Sequence, residues 1–432
     1  MAAGRRVAGG RKRGGARVEV GLEVLARDRP RWLRGRRVGL LMHPASVTSR
    51  CVSAREVVHR LCGRDLKALF GPQHGFAGEK QDNMIESAHA VDRRLGIPIH
   101  SLYSETRSPT PAMLGGVDLL LVDLQDVGTR VYTFEWTTAL ALEACAAAGC
   151  AVAVLDRPNP LDGVTVEGNL IRPGYESFVG LHPVPMRHGL TLGELAAMVN
   201  RRLDPGAAPA RPVRRRDGAG WRCPGLCDLT VVPMRGWRRS MNHPDTGLPW
   251  ILPSPNMPTH DTAVVYPGQV LLEGTNLSEG RGTTRPFELF GAPWLDADGL
   301  ERRFERRRLP GVMLRRQAFE PTFHKWQGEV CRGFQIQVTD RAAYRPYLTT
   351  LVLLQEIIAL HGDRFAWKQP PYEYVTDRLP IDVLTGDPAV REALESGRDL
   401  RGLERSWRAG IASFALEAAS IRLYPQEPVG SP

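Results

Sequence analysis

The chain has 432 residues, 42% hydrophobic and 24% charged, which suits a soluble globular protein of roughly two to three domains or one large α/β unit with a satellite. Its net charge of +10 is concentrated: Arg5, Arg6, Arg11, Lys12, Arg13 and Arg17 fall within the first 17 residues, which contain no acid. A Gly/Ala-rich basic end reads as a solvated tail rather than a nucleic-acid arm, and no apolar run approaches the length of a membrane span.

In chain order, the apolar run at 37–42 predicts a first buried strand, and the spacing over 54–61 predicts a helix after it. Residues 66–70, 97–103, 117–124 and 151–156 are short apolar runs typical of buried parallel strands. Between the last two, TTALALEACAAAG predicts a helix closed by Gly149. Residues 191–203 predict another, with Thr191 as N-cap and Glu194 completing a capping box. Residues 204–220, rich in Pro, Gly and Arg, read as a linker or surface excursion. A strand is expected at 229–234, then a long polar Pro/Gly-rich stretch over 247–285. A strand at 333–340 and a strongly apolar helix at 347–362 follow.

This alternation predicts the α/β class: a Rossmann-like, mostly parallel sheet domain, a second, smaller α/β subdomain, and a cleft between them. The expected divisions are a basic tail over 1–16, the Rossmann-like domain over 17–205 and the smaller subdomain over 206–432.

In an open parallel sheet, functional loops lie beyond the carboxyl ends of the strands. Here HPASVT, GPQHGFAGEKQDN, SETRSPTP, QDVGTRVYTF and RPNPLDG follow the five first-half strands. There is no G-x-G-x-x-G, so a dinucleotide is not supported, and EGTNLSEGRGTTRP lacks the GK[ST] of a phosphate loop. No G-x-S-x-G and no H-E-x-x-H occurs. The seven cysteines are scattered, and the close pair Cys223 and Cys227 has no companion, so no metal is expected and the thiols read as reduced. What remains is carboxylates, amides, arginines and aromatics on loops, a set that suits sugar chemistry.

The phrases RVGLLMHPASVT, ALFGPQHGF, DLQDVGTRVYTF, VLDRPNPLDG, FVGLHPVPMRHGLTLGEL, GLPWILPSPNMPT, LLEGTNLSEGRGTTRPFELFGAPW and CRGFQIQVTD resemble the DUF1343 family, associated with exo-β-N-acetylmuramidases of the NamZ type. They run in family order from about residue 18 onward. The resemblance implies a glycoside hydrolase that releases terminal non-reducing N-acetylmuramic acid from peptidoglycan fragments, in cell-wall turnover or recycling, without a cofactor. It implies a peptidoglycan-derived amino-sugar substrate, with neither nucleic acid nor membrane insertion. The basic start lacks an apolar signal region, so a cytoplasmic place is expected as written, while the family pattern is extracellular.

The matching motifs supply substrate-binding candidates: Arg130, Tyr132, Asp156, Arg157, Asn159, Glu167, His188, Asn256, Glu273, Asn276, Glu279, Arg281 and Arg285. Among them Arg130, Arg157, Arg281 and Arg285 are candidate partners of the lactyl carboxylate of muramic acid. Ordinary salt bridges and turn contacts are the alternative for each.

One departure bears on catalysis. The family pattern places Glu, its proposed catalytic carboxylate, where this chain has Gln73. An amide neither protonates a leaving oxygen nor acts as a carboxylate nucleophile. The catalytic candidates are therefore Gln73 as an orienting group, with Glu79 or Glu86 further along the loop, or His74 or Asp126, as the acid. Glu135 stands where an apolar residue is expected and is a further candidate; its ordinary reading is an acid at a helix start. The alternatives in function are a catalytically impaired muropeptide- or sugar-binding protein, and a glycosidase with a shifted amino-sugar substrate.

Overall fold

A computed structural model describes residues 17–82, 84–206 and 210–425; the expected tail over 1–16 lies outside the described residues. The strands of the large sheet are β1 (Val38–Met42), β2 (Leu66–Gly71), β3 (Ala90–Asp92), β4 (Ile97–Ser101), β5 (Leu119–Asp123), β6 (Ala151–Leu155), β7 (Val213–Arg214), β8 (Trp221–Cys223) and β9 (Leu229–Val232). Their order is β3-β4-β2-β1-β5-β6-β9-β8-β7. From β4 through β9 the neighbours pair in parallel, while β3 at one edge and β8 and β7 at the other are antiparallel. β1 and β5 are buried at every position, as a sheet covered on both faces requires.

The chain lays β2 and β4 on one side of β1, then returns to place β5, β6 and β9 on the other. This switch point opens a crevice beyond the carboxyl ends of β1 and β5. His43, the residue after β1, sits there and is almost fully buried. Its Nε2 accepts the Gln125 N–H (2.9 Å), and its Nδ1 donates to the Pro253 carbonyl (3.0 Å). Burial lowers the pKa of this ring to about 3, so it stays neutral, with one donor and one acceptor. A side chain at the switch point thus ties the Pro253 segment to the strand ends.

The capping box holds as read: Thr191 Oγ1 accepts from Glu194 N (3.2 Å) and begins the helix Leu192–Arg202. The helix Phe134–Ala147 is buried through nearly its whole N-terminal half and leads straight out of the loop after β5. The second unit has an antiparallel sheet of β10 (Leu289–Ala292), β11 (Val312–Arg316) and β12 (Arg332–Val338), in the order β10-β12-β11. The helices Ala297–Arg307 and Pro346–Leu360 pack together in the same unit. One apolar core runs through both units, from Val122 and Leu142 to Leu351 and Ile357, and a second covers the other face of the large sheet.

Two stretches differ from the sequence reading. Of 204–220, residues 207–209 lie outside the described residues; beyond them the chain forms β7 and β8, so the large sheet takes strands from both sides of residue 205. The polar stretch 247–285 contains a helix, His260–Gln269, capped by Thr259 Oγ1 accepting from Thr262 N (3.2 Å). Pro267 and Gly268 mask it in the sequence. Gly268 is needed because a Cβ there would lie 2.0 Å from the Pro346 carbonyl oxygen, where the helices Pro346–Leu360 and His260–Gln269 cross.

Candidate active site

The loop that follows β2 begins with Gly71-Pro72-Gln73-His74 at the carboxyl edge of the sheet. Gln73 is buried, and its amide is held on both sides. Its Oε1 accepts from Thr133 Oγ1 (2.6 Å), and its Nε2 donates to Glu373 Oε1 (3.1 Å). Tyr103 OH donates to Glu373 Oε2 (2.9 Å). A carboxyl from 300 residues further along the chain therefore meets the amide in the first-half loop. Burial raises the Glu373 pKa to about 7, although the hydrogen bonds from Tyr103 and Gln73 favour the charged form.

Gln73 and Glu373 share a cavity of about 40 Å³ with His74, Tyr132, Thr133, Ser254, Asn256, Tyr266, Glu273, Arg281, Phe287 and Tyr372. That volume holds a few waters. The space is narrow because the same loop reaches over it: Asn256 Nδ2 donates to Gln81 O, and Glu373 N–H contacts Met84 Sδ (3.2 Å). On the opposite wall Glu273 is ion-paired with Arg281 (2.7 Å) and accepts from Tyr372 OH (2.6 Å). Behind them lies Glu279, fully buried, with Arg281 at 3.3 Å, Lys325 at 2.9 Å and His324 at 3.3 Å. Burial opposes ionisation of Glu279, but Lys325, His324 and Arg281 together outweigh it and hold its pKa well below the usual carboxylate range.

Of the residues singled out in the sequence, Gln73, His74, Tyr132, Asn256, Glu273 and Arg281 come together around this cavity. Burial drives the His74 pKa to about 4, with its Nδ1 2.9 Å from the Lys80 carbonyl, so it is neutral near pH 7 and not a stored proton. Glu79 and Glu86 are exposed and do not line the cavity; Glu86 meets Tyr374 OH (3.3 Å) and Arg107 (3.6 Å) at the surface.

Other candidates are committed elsewhere. Arg130 is fully buried and donates to the carbonyls of Asn169, Val184, Leu384 and Thr385. Arg157 is paired with Asp123 (2.6 Å), and Asp156 accepts from Thr191, Gly193 and Tyr424. Asn159 donates to Leu190 O, and Glu167 accepts from Leu348 N. Asn276 bridges Arg364 O and Ala366 N, and Arg285 pairs with Glu288 (3.1 Å) at the surface. These side chains hold loops in place.

Asp126, Glu135 and His188 form a separate buried cluster, the one group among the described residues close enough together to consider for a metal ion. His188 Nδ1 accepts the Leu190 N–H (3.1 Å), so Nε2 carries the hydrogen it gives to Glu135 Oε1 (2.6 Å). An ion there would have to displace that proton, and metal-bound histidines normally donate from the distal nitrogen. The donor set fits a metal poorly. Burial raises the pKa of both acids well above normal, and the charge of Glu135 raises that of Asp126 further, while the hydrogen bond with Asp126 works against the rise at Glu135.

The residues missed in the sequence are Tyr103, Thr133, Tyr266, Phe287, Tyr372 and, above all, Glu373. The stretch PPYEYV around Glu373 carries no motif that separates it from an exposed turn.

Two family models cover the chain: "Exo-beta-N-acetylmuramidase NamZ, N-terminal" over residues 38–261 and "Exo-beta-N-acetylmuramidase NamZ, C-terminal" over 264–424. The chain is 40% identical over 408 residues to the peptidoglycan beta-N-acetylmuramidase NamZ of Bacillus subtilis (strain 168), covering 94% of this chain and 92% of that protein. Two crystal structures of DUF1343 family proteins from Bacteroides fragilis NCTC 9343 share the fold. One has a TM-score of 0.80 at 32% identity, over 95% of this chain and 99% of that one; the other has 0.68 at 26%, over 95% and 100%. With both family models matched in sequence, and with the parallel sheet and smaller antiparallel unit that carry the Gln73–Glu373 cavity, this chain belongs to the NamZ family of exo-β-N-acetylmuramidases, which are glycosidases.

Proposed function

We propose that this protein releases N-acetylmuramic acid from the non-reducing ends of peptidoglycan fragments, with Glu373 as its general acid. One observation carries the reading: the Glu373 carboxyl faces the cavity against Gln73, with its pKa raised to about 7. A glycosidase acid must arrive protonated near neutral pH and give its proton to the leaving oxygen. Gln73 lacks that proton, but it orients the group that has it.

In the step we assign, the Glu373 proton passes to the glycosidic oxygen as the bond from that oxygen to the sugar's anomeric carbon breaks. Glu273, ion-paired with Arg281 across the cavity, presents negative charge to the cation that develops on the ring. Water then adds to the anomeric carbon, and its proton restores Glu373. Arg281 Nη1, buried without a hydrogen-bond partner, is the donor we assign to the lactyl carboxylate. Tyr132, Tyr266 and Phe287 supply the aromatic lining of the cavity for the sugar. Entry of a sugar requires the Asn256–Gln81 and Glu373–Met84 contacts to open.

The seven cysteines are unpaired, which suits a reducing compartment, and we place the protein there, acting on imported fragments. Among the described residues no helix is long and apolar enough to cross a membrane.

The test is release of the aglycone from a chromogenic β-N-acetylmuraminide. Turnover by the wild type, lost in Glu373→Gln, is expected. Gln73 itself favours a second reading, a sugar-binding protein with impaired catalysis. Binding of muramic acid ligands without turnover, with hydrolysis gained in Gln73→Glu, would establish that reading instead.

A further inference from the structure

Beyond the Glu273–Arg281 wall lies an open groove of about 520 Å³, lined by Thr275, Asn276, His324, Lys325, Trp326 and Lys368. Most of its polar groups are already used. Lys325 Nζ donates to Leu272 O (2.7 Å), Leu277 O (2.9 Å) and Glu279 (2.9 Å), which consumes all three protons. Trp326 Nε1 donates to Asn276 O (2.6 Å), which fixes the plane of the indole. What the groove still offers is the partly exposed Trp326 face and the Lys368 ammonium. Among the described residues that ammonium has no ion pair, only the Tyr372 ring 5.8 Å away.

Three links join the groove to the candidate active site. Glu273 lines the cavity, and Thr275 and Asn276, next along the chain, line the groove. Tyr372 lines the cavity, and Lys368 stands over its ring. Asp82, from the loop that begins at Gln73, reaches the groove's His324 (3.9 Å). The backbone supports a ligand role: His324 (φ 72°) and Trp326 (φ 59°) both hold left-handed conformations that cost energy in non-glycine residues.

We propose that this groove is the leaving-group subsite: it holds the saccharide beyond the scissile bond, with an N-acetylglucosamine ring stacked on Trp326 and an acidic group of the next residue at Lys368. The proposal rests on the glycosidase reading above. A fixed, partly exposed aromatic face in this groove matches the apolar face of a pyranose. A cation without an acid partner matches the lactyl or peptide carboxylates of a muramoyl residue.

The test measures binding, so it does not depend on turnover. The β-1,4-linked N-acetylglucosamine–N-acetylmuramic acid disaccharide is titrated calorimetrically into wild type, Trp326→Ala and Lys368→Gln. Trp326→Ala should bind roughly tenfold more weakly or worse. Lys368→Gln should weaken this acidic disaccharide while leaving the neutral N-acetylglucosamine dimer bound as in wild type. No binding by wild type, or equal affinities across folded variants, overturns the subsite. If Trp326→Ala does not fold, the comparison of the two disaccharides in Lys368→Gln decides. Failure of the glycosidase reading appears separately, as absent hydrolysis of the aryl muraminide.

Discussion

Gln73 Nε2 lies 3.1 Å from Glu373 Oε1, which places the amide of the first-half loop in contact with a carboxyl from near the end of the chain. Had Gln73 been Glu, two carboxyls would share this point, and they could not both ionise at such a distance. With an amide there, Glu373 keeps a hydrogen-bond donor, and in the mechanism we propose the proton sits on that one group.

Removing that group should abolish turnover. Glu373→Gln is expected to lower kcat by about a hundredfold to ten thousandfold, the usual worth of a general acid, with little change in thermal stability. Steady-state rates on an aryl muraminide, alongside a melting curve, check this. Glu79→Gln and Glu86→Gln, at exposed positions outside the cavity, should leave the rate within a few-fold of wild type.

The acid role also sets a pH profile. A general acid works in its protonated form, so kcat/KM should fall as pH rises through about 7, where Glu373 loses its proton. The Arg107 guanidinium, stacked 3.3 Å over the Tyr374 ring, favours the charged form of Glu373. Arg107→Gln should therefore move the falling limb to higher pH. A limb that stays in place, or moves down, would contradict the assignment.

The buried Asp126–Glu135–His188 cluster should show itself in stability. Both acids have raised pKa values in the folded state, so above about pH 4 the native state holds more protons than the unfolded one. Their contribution to stability is present below the ordinary carboxyl pKa and is lost as pH rises toward the native value. Urea unfolding at pH 5, 6.5 and 8 should show stability declining with pH, and Glu135→Gln should flatten that slope.

Helix packing supplies a backbone test. A methyl at Gly268 would meet the Pro346 carbonyl at 2.0 Å. Gly268→Ala should destabilise the protein by about 1–3 kcal/mol, despite the better helix propensity of alanine. Chemical denaturation measures it.

Breaking the charged wall should cost more. Arg281→Met leaves Glu273 without its ion pair (2.7 Å), although the Tyr372 hydroxyl still donates to it. A loss of about 3–5 kcal/mol is expected for a buried pair broken on one side. Truncating Arg285, whose side chain is 46% exposed, should cost under about 1 kcal/mol.

The local pattern of the chain was enough for the parallel sheet, because buried strands must be continuous apolar runs and their loops must be polar. Residues 66–70 and 151–156 read correctly as strands for that reason, and Thr191 with Glu194 marked a helix start through chemistry confined to four residues. The loop at Gln73 was legible as a loop of the sheet's carboxyl edge from its position after β2, and Gln73 and His74 do line the cavity there. The helix His260–Gln269 was not legible, because Pro267 and Gly268 argue locally for a turn, and only the facing helix explains the glycine. Nor did the sequence separate Arg281, at the cavity, from Arg130, whose guanidinium is spent on four backbone carbonyls. The acid proposed here could be named only from the tertiary structure. Glu373 is 300 positions from Gln73 and has an ordinary sequence context; its raised pKa comes from burial, with a smaller push from Glu273, and outweighs the opposing hydrogen bonds from Tyr103 and Gln73, all of them groups brought to it only by the folded chain.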